Sequence, residues 1–163
     1  MDVDSTSFRA AMSRFATGVT VATTCRGERR IGITVNAFAS VSLEPPLVLI
    51  CIERASLVHQ YFVESGVFAV NMLSADQEDL STGFASNSPE RFESFCGVAS
   101  HPVVTGAPVF DDCLAWVDCR VTQVYPGGDH SILLGEVVAL GTSPRLPLLY
   151  YRSHYLHPNE RPS

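Results

Sequence analysis

Residues 115–141, AWVDCRVTQVYPGGDHSILLGEVVALG, contain two long strand patterns joined by a short turn. The strands are predicted over residues 115–125 and 131–141. The connecting residues 126–130, PGGDH, include two glycines that can supply the positive φ of a tight reversal. This stretch is the clearest β-hairpin signal in the chain, and it favours a fold built from antiparallel strands.

Other strand patterns lie on both sides of this hairpin. Residues 19–25 and 31–35 predict a second hairpin, and the six apolar residues 47–52 predict a buried strand that we expect to be central. Residues 67–73 and 148–155 each predict one more strand. We expect residues 36–46 to be irregular, and residues 87–112 to form a loop with one helical turn.

Helix signals are fewer. Phe8, Met12 and Phe15 recur at helical spacing before Gly18, and Ser56 is placed to cap a helix that ends at Gly66. A third helix is predicted from the capping-box residue Ser74 to residue 84. Because strands dominate and do not alternate with helices, the sequence predicts a mainly β fold, a closed or partly closed β-barrel with a few helices. We expect one domain over residues 1–163, with a core at about 8–155.

Charge and composition exclude several classes of protein. The chain has 11 Lys+Arg against 17 Asp+Glu, a net charge of −6, and all of its cations are arginines. An acidic chain is not expected to bind nucleic acid or an anionic membrane. Without lysine, neither a phosphate-loop nucleotidase nor a Schiff-base enzyme can be built.

The sequence also bears on compartment and metal content. The first residues are acidic rather than basic, and no apolar run approaches the length of a membrane span, so a cytoplasmic protein is expected. The 5 cysteines show no paired short spacing. His154 and His157 lie three apart but have no apparent third ligand, so no metal site is predicted.

A hydroxyl-rich segment between two predicted strands is the part of the sequence that indicates a function. Residues 32–47, GITVNAFASVSLEPPL, closely resemble the segment GxTxNSFxSVSxxPPL of the short-chain flavin reductases. The resemblance continues through FRAAMSRFATGVTVAT, ERASLVHQYFVESGVFAVNML, GGDHSILLGEVVAL and PLLYYRSHY, and therefore covers almost the whole chain. The chain is identified as a member of this family, which supplies reduced flavin to two-component monooxygenases.

The resemblance implies a specific fold and activity. It implies an FMN-binding split β-barrel of Greek-key topology, homodimeric, that passes a hydride from NADH or NADPH to FMN or FAD. The reduced flavin would diffuse to a partner flavin-dependent monooxygenase. The alternative is a flavin-retaining electron carrier or a flavin-binding module without reductase turnover. Residues alone do not decide between FMN and FAD or between NADH and NADPH.

The resemblance also implies binding residues. Ala37 stands where the family often has serine, so a backbone contact must replace one hydroxyl contact. A flavin edge needs hydrogen-bond donors and small neighbours that let the backbone approach. The residues matching the loop along the flavin ring and ribityl chain are Thr34, Asn36, Ala37, Ser40, Val41 and Ser42.

Further matches surround this loop. Arg54, Ala55 and Ser56 match a turn near the flavin phosphate, although Ser56 can also cap its helix. His130 matches the family histidine that faces the nicotinamide and is the candidate catalytic residue, although a lone histidine in a turn is otherwise an ordinary surface residue. The remaining cofactor-binding candidates are Ser86, Phe92 and Tyr155.

Overall fold

The computed structural model describes residues 2–159, and nearly half of them belong to antiparallel strands. The α-helices are α1 Ser5–Met12, α2 His59–Ser65, α3 Glu78–Ala85 and α4 Pro89–Glu93. The strands are β1 Thr17–Gly18, β2 Thr20–Arg26, β3 Arg29–Val35, β4 Phe38–Leu43, β5 Pro46–Glu53, β6 Val67–Met72, β7 Ser100–Pro102, β8 Pro108–Phe110, β9 Ala115–Gly127, β10 His130–Thr142, β11 Leu149–Tyr151 and β12 His154–Leu156.

One sheet forms the barrel. Its strand order is β3-β2-β6-β9-β10-β5-β4, and each neighbouring pair is antiparallel. Although β3 and β5 are far apart in this order, residues of both line one cavity, so the sheet curls until they face each other. They do not pair, and the opening between them is the split of a split β-barrel. The long step from β5 to β6 through α2 gives the Greek-key order and confirms the predicted fold class.

The hairpin predicted from residues 115–141 is present as β9 and β10. Only Gly128 and Asp129 lie between the two strands, and Gly128 has a φ of 70°. Gly127 does not have a positive φ; a Cβ there would lie 3.0 Å from Ile132 Cγ1. His130 therefore starts β10, where it pairs with Gly127 and with Glu53 of β5. The strand fixes the backbone of the candidate catalytic residue.

Two apolar clusters fill the barrel. The larger one contains Ile50, Phe62, Phe68 and Leu133, and each is at most 1% exposed. A second cluster lies beneath α3, where the rings of Phe84, Phe95 and Phe110 pack with centroids 5.0–6.0 Å apart. Burial of such side chains contributes roughly 1.5–3 kcal/mol each. The larger cluster includes residues of both β3 and β5, so it packs the two strands beside the split against one core.

Several boundaries differ from the sequence expectations. α1 starts after Asp4, which accepts from the backbone N–H groups of Thr6 and Ser7 at 2.9 Å. It ends at Met12, not near Gly18, because the Ser13 carbonyl accepts from the backbone N–H of Arg152 at 2.9 Å and Gly18 joins β1. α2 starts after Val58, so Ser56 does not cap it. Gly66 ends that helix with a φ of 70°, as expected.

The expected irregular and central segments also differ. Residues 38–43 are strand β4 rather than irregular, because their backbone pairs with β5. The strand expected to be central, β5, lies second from the edge of the sheet. Residues 148–155 were expected to form one strand and instead form the β11–β12 hairpin, which reverses at Arg152 and Ser153 with φ of 51° and 64°.

The segment expected to be a loop, residues 87–112, contains more structure than one helical turn. It holds α4, a short 3-10 turn, and the small β7–β8 hairpin. Three prolines in this segment masked the short strands in the sequence pattern. Within residues 2–159, no helix is both long enough and apolar enough to cross a membrane.

Candidate functional site

Three cavities meet where β3 ends and turns into β4. An apolar cavity of about 510 Å³ lies next to β1, a cavity of about 300 Å³ lies in the split, and one of about 170 Å³ lies beneath α3. Asn36 lines all three, Thr34 lines the second and third, and Ala37 lines the first and second. We call these three joined cavities the groove. The structure thus brings together three of the residues predicted to hold a flavin.

The split cavity contains the candidate catalytic histidine. His130 lines it together with Thr34 and Asn36 at the end of β3 and with Glu53 and Cys51 of β5. The side chain of His130 is 41% exposed, and its Nδ1 lies 2.7 Å from Asp129 Oδ1. This hydrogen bond holds the pKa of Asp129 below its ordinary value, with a further contribution from the charge of Arg9.

The turn after β5 is tied to the same hairpin. The backbone N–H of Arg54 donates to the carbonyl of Asp129 at 2.9 Å, which places residues 54–56 beside His130. Arg54 and Ala55 are exposed, and Ser56 is half-buried. The Ser56 hydroxyl lies at a long 3.5 Å from the N–H of Val58, so it is not committed to capping α2. The turn thus presents an exposed arginine and a serine near the split.

The third cavity lies against the C-terminal hairpin. Tyr155 lines it, and its hydroxyl is 2.7 Å from Ser81 Oγ of α3. Thr34 Oγ1 donates to the Ser81 carbonyl at 2.6 Å, so α3 connects the tyrosine to β3. Ser81 thus contacts both Tyr155 and Thr34 of the predicted flavin loop, and the hydroxyl of Tyr155 already bonds to the protein.

Other predicted residues lie apart from the three cavities. Ser40, Val41 and Ser42 are on the edge strand β4, where Val41 is a bulge residue and 48% exposed. Ser86 uses its hydroxyl to donate to the Gly83 carbonyl at 2.9 Å. Phe92 packs half-buried against the main apolar cluster. None of these five residues lines the groove cavities of the described chain.

Arg91, beside Phe92, is a structural residue. It is 3% exposed, its Nε donates to the Gly32 carbonyl, and its Nη1 donates to the Ser86 carbonyl, both at 2.9 Å. Burial lowers the pKa of this guanidinium. Arg91 thus fastens the loop between α3 and α4 to β3, and it is not presented to the groove.

Sequence reasoning missed several groove residues. Glu53, Cys51, Phe15 and Tyr150 line the cavities, and none was named as a candidate, although all but Cys51 lie in segments that resemble the family. Glu53 and Cys51 reach the groove because β3 meets β5 across the split, which no local pattern encodes. The cross-strand pair of His130 and Glu53 could be found only once the β5–β10 register is known.

The groove suits a flat, polar-edged ligand. Ala37 and Thr34 are small, so backbone can approach closely, and the exposed Asn36 side chain has no hydrogen bond within residues 2–159. An unpaired carboxamide offers both a donor and an acceptor. The apolar cavity on the other side of Asn36 is lined by Phe38, Leu49 and Leu148, which suit the apolar edge of such a ring. The residues present therefore fit a flavin.

Comparisons with known proteins identify the family of the chain. The family model described as a flavin reductase-like domain matches residues 12–158. The reductase subunit HsaB of a flavin-dependent monooxygenase from Mycobacterium tuberculosis is 39% identical over 156 residues, which cover 94% of this chain and 82% of HsaB. The FMN reductase (NADH) RutF of Pseudomonas syringae is 39% identical, with 99% of this chain and 91% of RutF covered.

Solved structures show the same architecture. The NADH:FAD oxidoreductase SgcE6 of Streptomyces globisporus, solved with NAD and FAD fragments, superposes with a TM-score of 0.86 at 36% identity and covers 94% of this chain and 92% of that one. An oxidoreductase of Sinorhizobium meliloti superposes with a TM-score of 0.91 at 38% identity. The match covers 96% of this chain and 54% of the oxidoreductase. The chain belongs to the family of flavin reductase-like domains.

Proposed function

We propose that this chain is an NADH-dependent flavin reductase that reduces FMN or FAD and releases the reduced flavin to a separate monooxygenase. The observation that carries the proposal is that Asn36 and His130 line one cavity in the split. Asn36 can bind a flavin edge and His130 a nicotinamide. Relatives named as NADH-dependent reductases of FMN and of FAD support this assignment.

Asn36 is proposed to bind the polar edge of the flavin ring, with Thr34 and the backbone of Ala37 beside it. Because the Thr34 hydroxyl donates its proton to the Ser81 carbonyl, it can only accept from a ligand. When bound, the flavin supplies the chemistry, since its N5 takes the hydride of the reduced nicotinamide. The protein's part is to stack the two rings and to exclude water from between them.

Outer parts of the flavin are assigned to neighbouring segments. Arg54 and Ser56, with the backbone of Ala55, are proposed to bind the phosphate, because the turn presents an exposed guanidinium and a hydroxyl that makes only a long 3.5 Å hydrogen bond beside the split. Ser40, Val41 and Ser42 are proposed to contact the ribityl chain from β4. The remaining proposed contacts, outside the split cavity, are Ser86, Phe92 and Tyr155.

His130 is the proposed catalytic residue for the nicotinamide side. It is half-exposed, it starts a paired strand, and its ring is oriented by Asp129. A fixed imidazole at the mouth of the split can bind the carboxamide of the nicotinamide and so hold the donor carbon over the flavin. Hydride transfer itself requires no general base, so His130 positions the nucleotide.

A homodimer is proposed from the exposed apolar surface. α1 buries none of its own residues, and Phe8, Met12 and Phe15 are 55%, 54% and 78% exposed. Leu43 on the edge strand β4 is 94% exposed. Phe15 also lines the apolar cavity, so a second copy covering α1 would complete the groove. Sedimentation of the protein tests this, and a monomer at micromolar concentration would contradict it.

The proposed activity is tested by following NADH and NADPH oxidation with FMN, FAD or no added flavin. We expect turnover only with added flavin, and we expect NADH to be preferred. His130→Ala should raise the KM for NADH while leaving flavin affinity largely unchanged; His101→Ala, at the remote β7–β8 hairpin, is the matched control. A protein that retains its flavin through gel filtration without oxidising either nucleotide would instead be a flavin-binding electron carrier. The cytoplasmic location stays a prediction.

A further inference from the structure

The ring of His130 has one nitrogen bound to the protein and one left for a ligand. Nδ1 lies 2.7 Å from Asp129 Oδ1, whereas Nε2 has no hydrogen-bond partner within residues 2–159. The ring lines the split cavity with Thr34 and Asn36. Whether Nε2 donates or accepts a hydrogen bond depends on whether it carries a proton. A neutral imidazole carries one proton, so Nε2 is an acceptor when Nδ1 is protonated.

Asp129 determines whether Nδ1 of His130 carries a proton. A carboxylate only accepts hydrogen bonds, so an ionised Asp129 requires the proton of a neutral imidazole to be on Nδ1. The carboxylate stays ionised, because the bond to His130 lowers its pKa. Its position is also held, since its backbone carbonyl accepts from Arg54 N–H at 2.9 Å and the preceding Gly128 turns the chain with a φ of 70°.

We propose that Asp129 is a positioning residue that keeps Nε2 of His130 as a hydrogen-bond acceptor, and that this acceptor selects nucleotides whose nicotinamide carries an amide N–H. A nicotinamide carboxamide offers both an N–H and a carbonyl, and an unprotonated Nε2 can bind only the N–H. Asp129 thereby determines which end of the carboxamide faces His130. This inference rests on the proposed function, in which His130 faces the nicotinamide.

A nucleotide analogue separates the two ends of the carboxamide. In the acetylpyridine analogue of NADH, a methyl group replaces the amide nitrogen, so the carbonyl remains and the N–H is absent. We expect wild-type protein with saturating FMN to prefer NADH over the analogue in kcat/KM. Because the two nucleotides also differ in reducing power, the informative quantity is the change of this preference between variants.

Asp129→Asn is the decisive variant. A carboxamide at position 129 can donate to Nδ1 as well as accept from it, so both imidazole tautomers become populated, and the Nε2–H tautomer can donate to the acetyl carbonyl. We expect the preference for NADH over the analogue to fall by about three- to tenfold, the range set by one hydrogen bond. Asp129 is exposed, so the variant should fold normally.

The chain contains a matched control. His101 Nδ1 lies 2.6 Å from Asp111 Oδ1 in another exposed pair at the β7–β8 hairpin, outside the groove. Asp111→Asn should leave the nucleotide preference unchanged. An unchanged preference in Asp129→Asn, or an equal loss in Asp111→Asn, would overturn the proposal.

Heteronuclear NMR of the imidazole nitrogens tests the tautomer without turnover. The ligand-free wild-type protein should show His130 protonated at Nδ1 only, and Asp129→Asn should show a mixture of tautomers. A wild-type ring protonated at Nε2, or at both nitrogens, near neutral pH would contradict the inference even if the protein reduces flavin. Absence of any nucleotide oxidation, with the expected tautomer present, would count against the proposed function instead.

Discussion

Two asparagines show how the closed side of the barrel, formed by strands β2, β6 and β9, differs from the groove. Asn71 on β6 is fully buried; its Nδ2 donates to the Val21 carbonyl and to Thr23 Oγ1 at 3.2 Å, and its Oδ1 accepts from Phe110 N–H at 2.8 Å. Asn36 is exposed at the junction of three cavities, and its side chain makes no hydrogen bond within residues 2–159. The same side chain is used by the protein in one place and is available to a ligand in the other.

Asp118 follows the pattern of Asn71. This fully buried carboxylate on β9 accepts from the backbone N–H groups of Val104 and Thr105 at 2.9 Å and from the Thr105 hydroxyl. Polar groups on the closed side therefore fasten the loop of residues 103–110 to the barrel. Polarity alone does not mark a functional residue; a functional polar group is one whose hydrogen bonds the protein leaves unmade.

The largest expected effect is loss of stability from Asn71→Ala. The substitution leaves the Phe110 N–H and the Val21 carbonyl without this partner in a buried site, which should lower the free energy of unfolding by about 2–3 kcal/mol. Urea unfolding measures this, with Asn36→Ala as the control that should stay within about 0.5 kcal/mol of wild type. Equal stability of the two variants would remove the distinction between the closed side and the groove.

The second prediction is that Asn36→Ala weakens flavin binding. Loss of one hydrogen bond to the flavin edge should raise the dissociation constant for FMN about three- to tenfold, with little change in the unfolding curve. Quenching of flavin fluorescence measures the affinity, and Asn159→Ala, at an exposed position outside the groove cavities, is the control. Wild-type affinity in Asn36→Ala would mean that the groove does not hold the flavin edge.

The sequence predicted the hairpins because their information is local. The alternation in residues 115–141 and the glycine between the strands specify β9 and β10 without help from the rest of the chain. β4 was missed because its alanine and serines are poor strand formers, and its strand conformation comes from pairing with β5. The C-terminal reversal was missed because Arg152 and Ser153, rather than glycine, adopt positive φ there.

The site was predictable only where a motif crosses it. Thr34, Asn36, Ala37 and His130 were found through resemblance, and the structure places all four around the split. Glu53 and Phe15 also lie in segments that resemble the family, but the resemblance implied no role for them; their place at the groove follows from the curl of the sheet and from the path of the chain between α1 and β1. The roles of Asn71 and Asp118 depend on partners far along the chain, so no local pattern separates them from Asn36.

The smallest expected effect concerns the pH dependence of two thiols. Burial raises the pKa of Cys119, on the closed side, from 9.0 to about 12, and burial also raises the pKa of Cys51, which lines the groove and is only half-buried. A raised pKa in the folded state means that folding favours the neutral thiol. The corresponding stability is complete below the unfolded pKa and is lost as the pH rises above it.

Cys119 should therefore contribute a loss of about 1 kcal/mol in unfolding free energy between about pH 9 and 10, because the unfolded thiol ionises there while the folded one does not. Cys119→Ala leaves a small cavity at every pH but removes this titration, so its unfolding free energy should fall less steeply than that of wild type across the interval. Cys51→Ala should change the slope less, because water from the groove already reaches that thiol. Identical slopes for wild type and Cys119→Ala would mean that the closed side admits water as readily as the groove does, and the distinction between the two regions would then rest on hydrogen bonding alone.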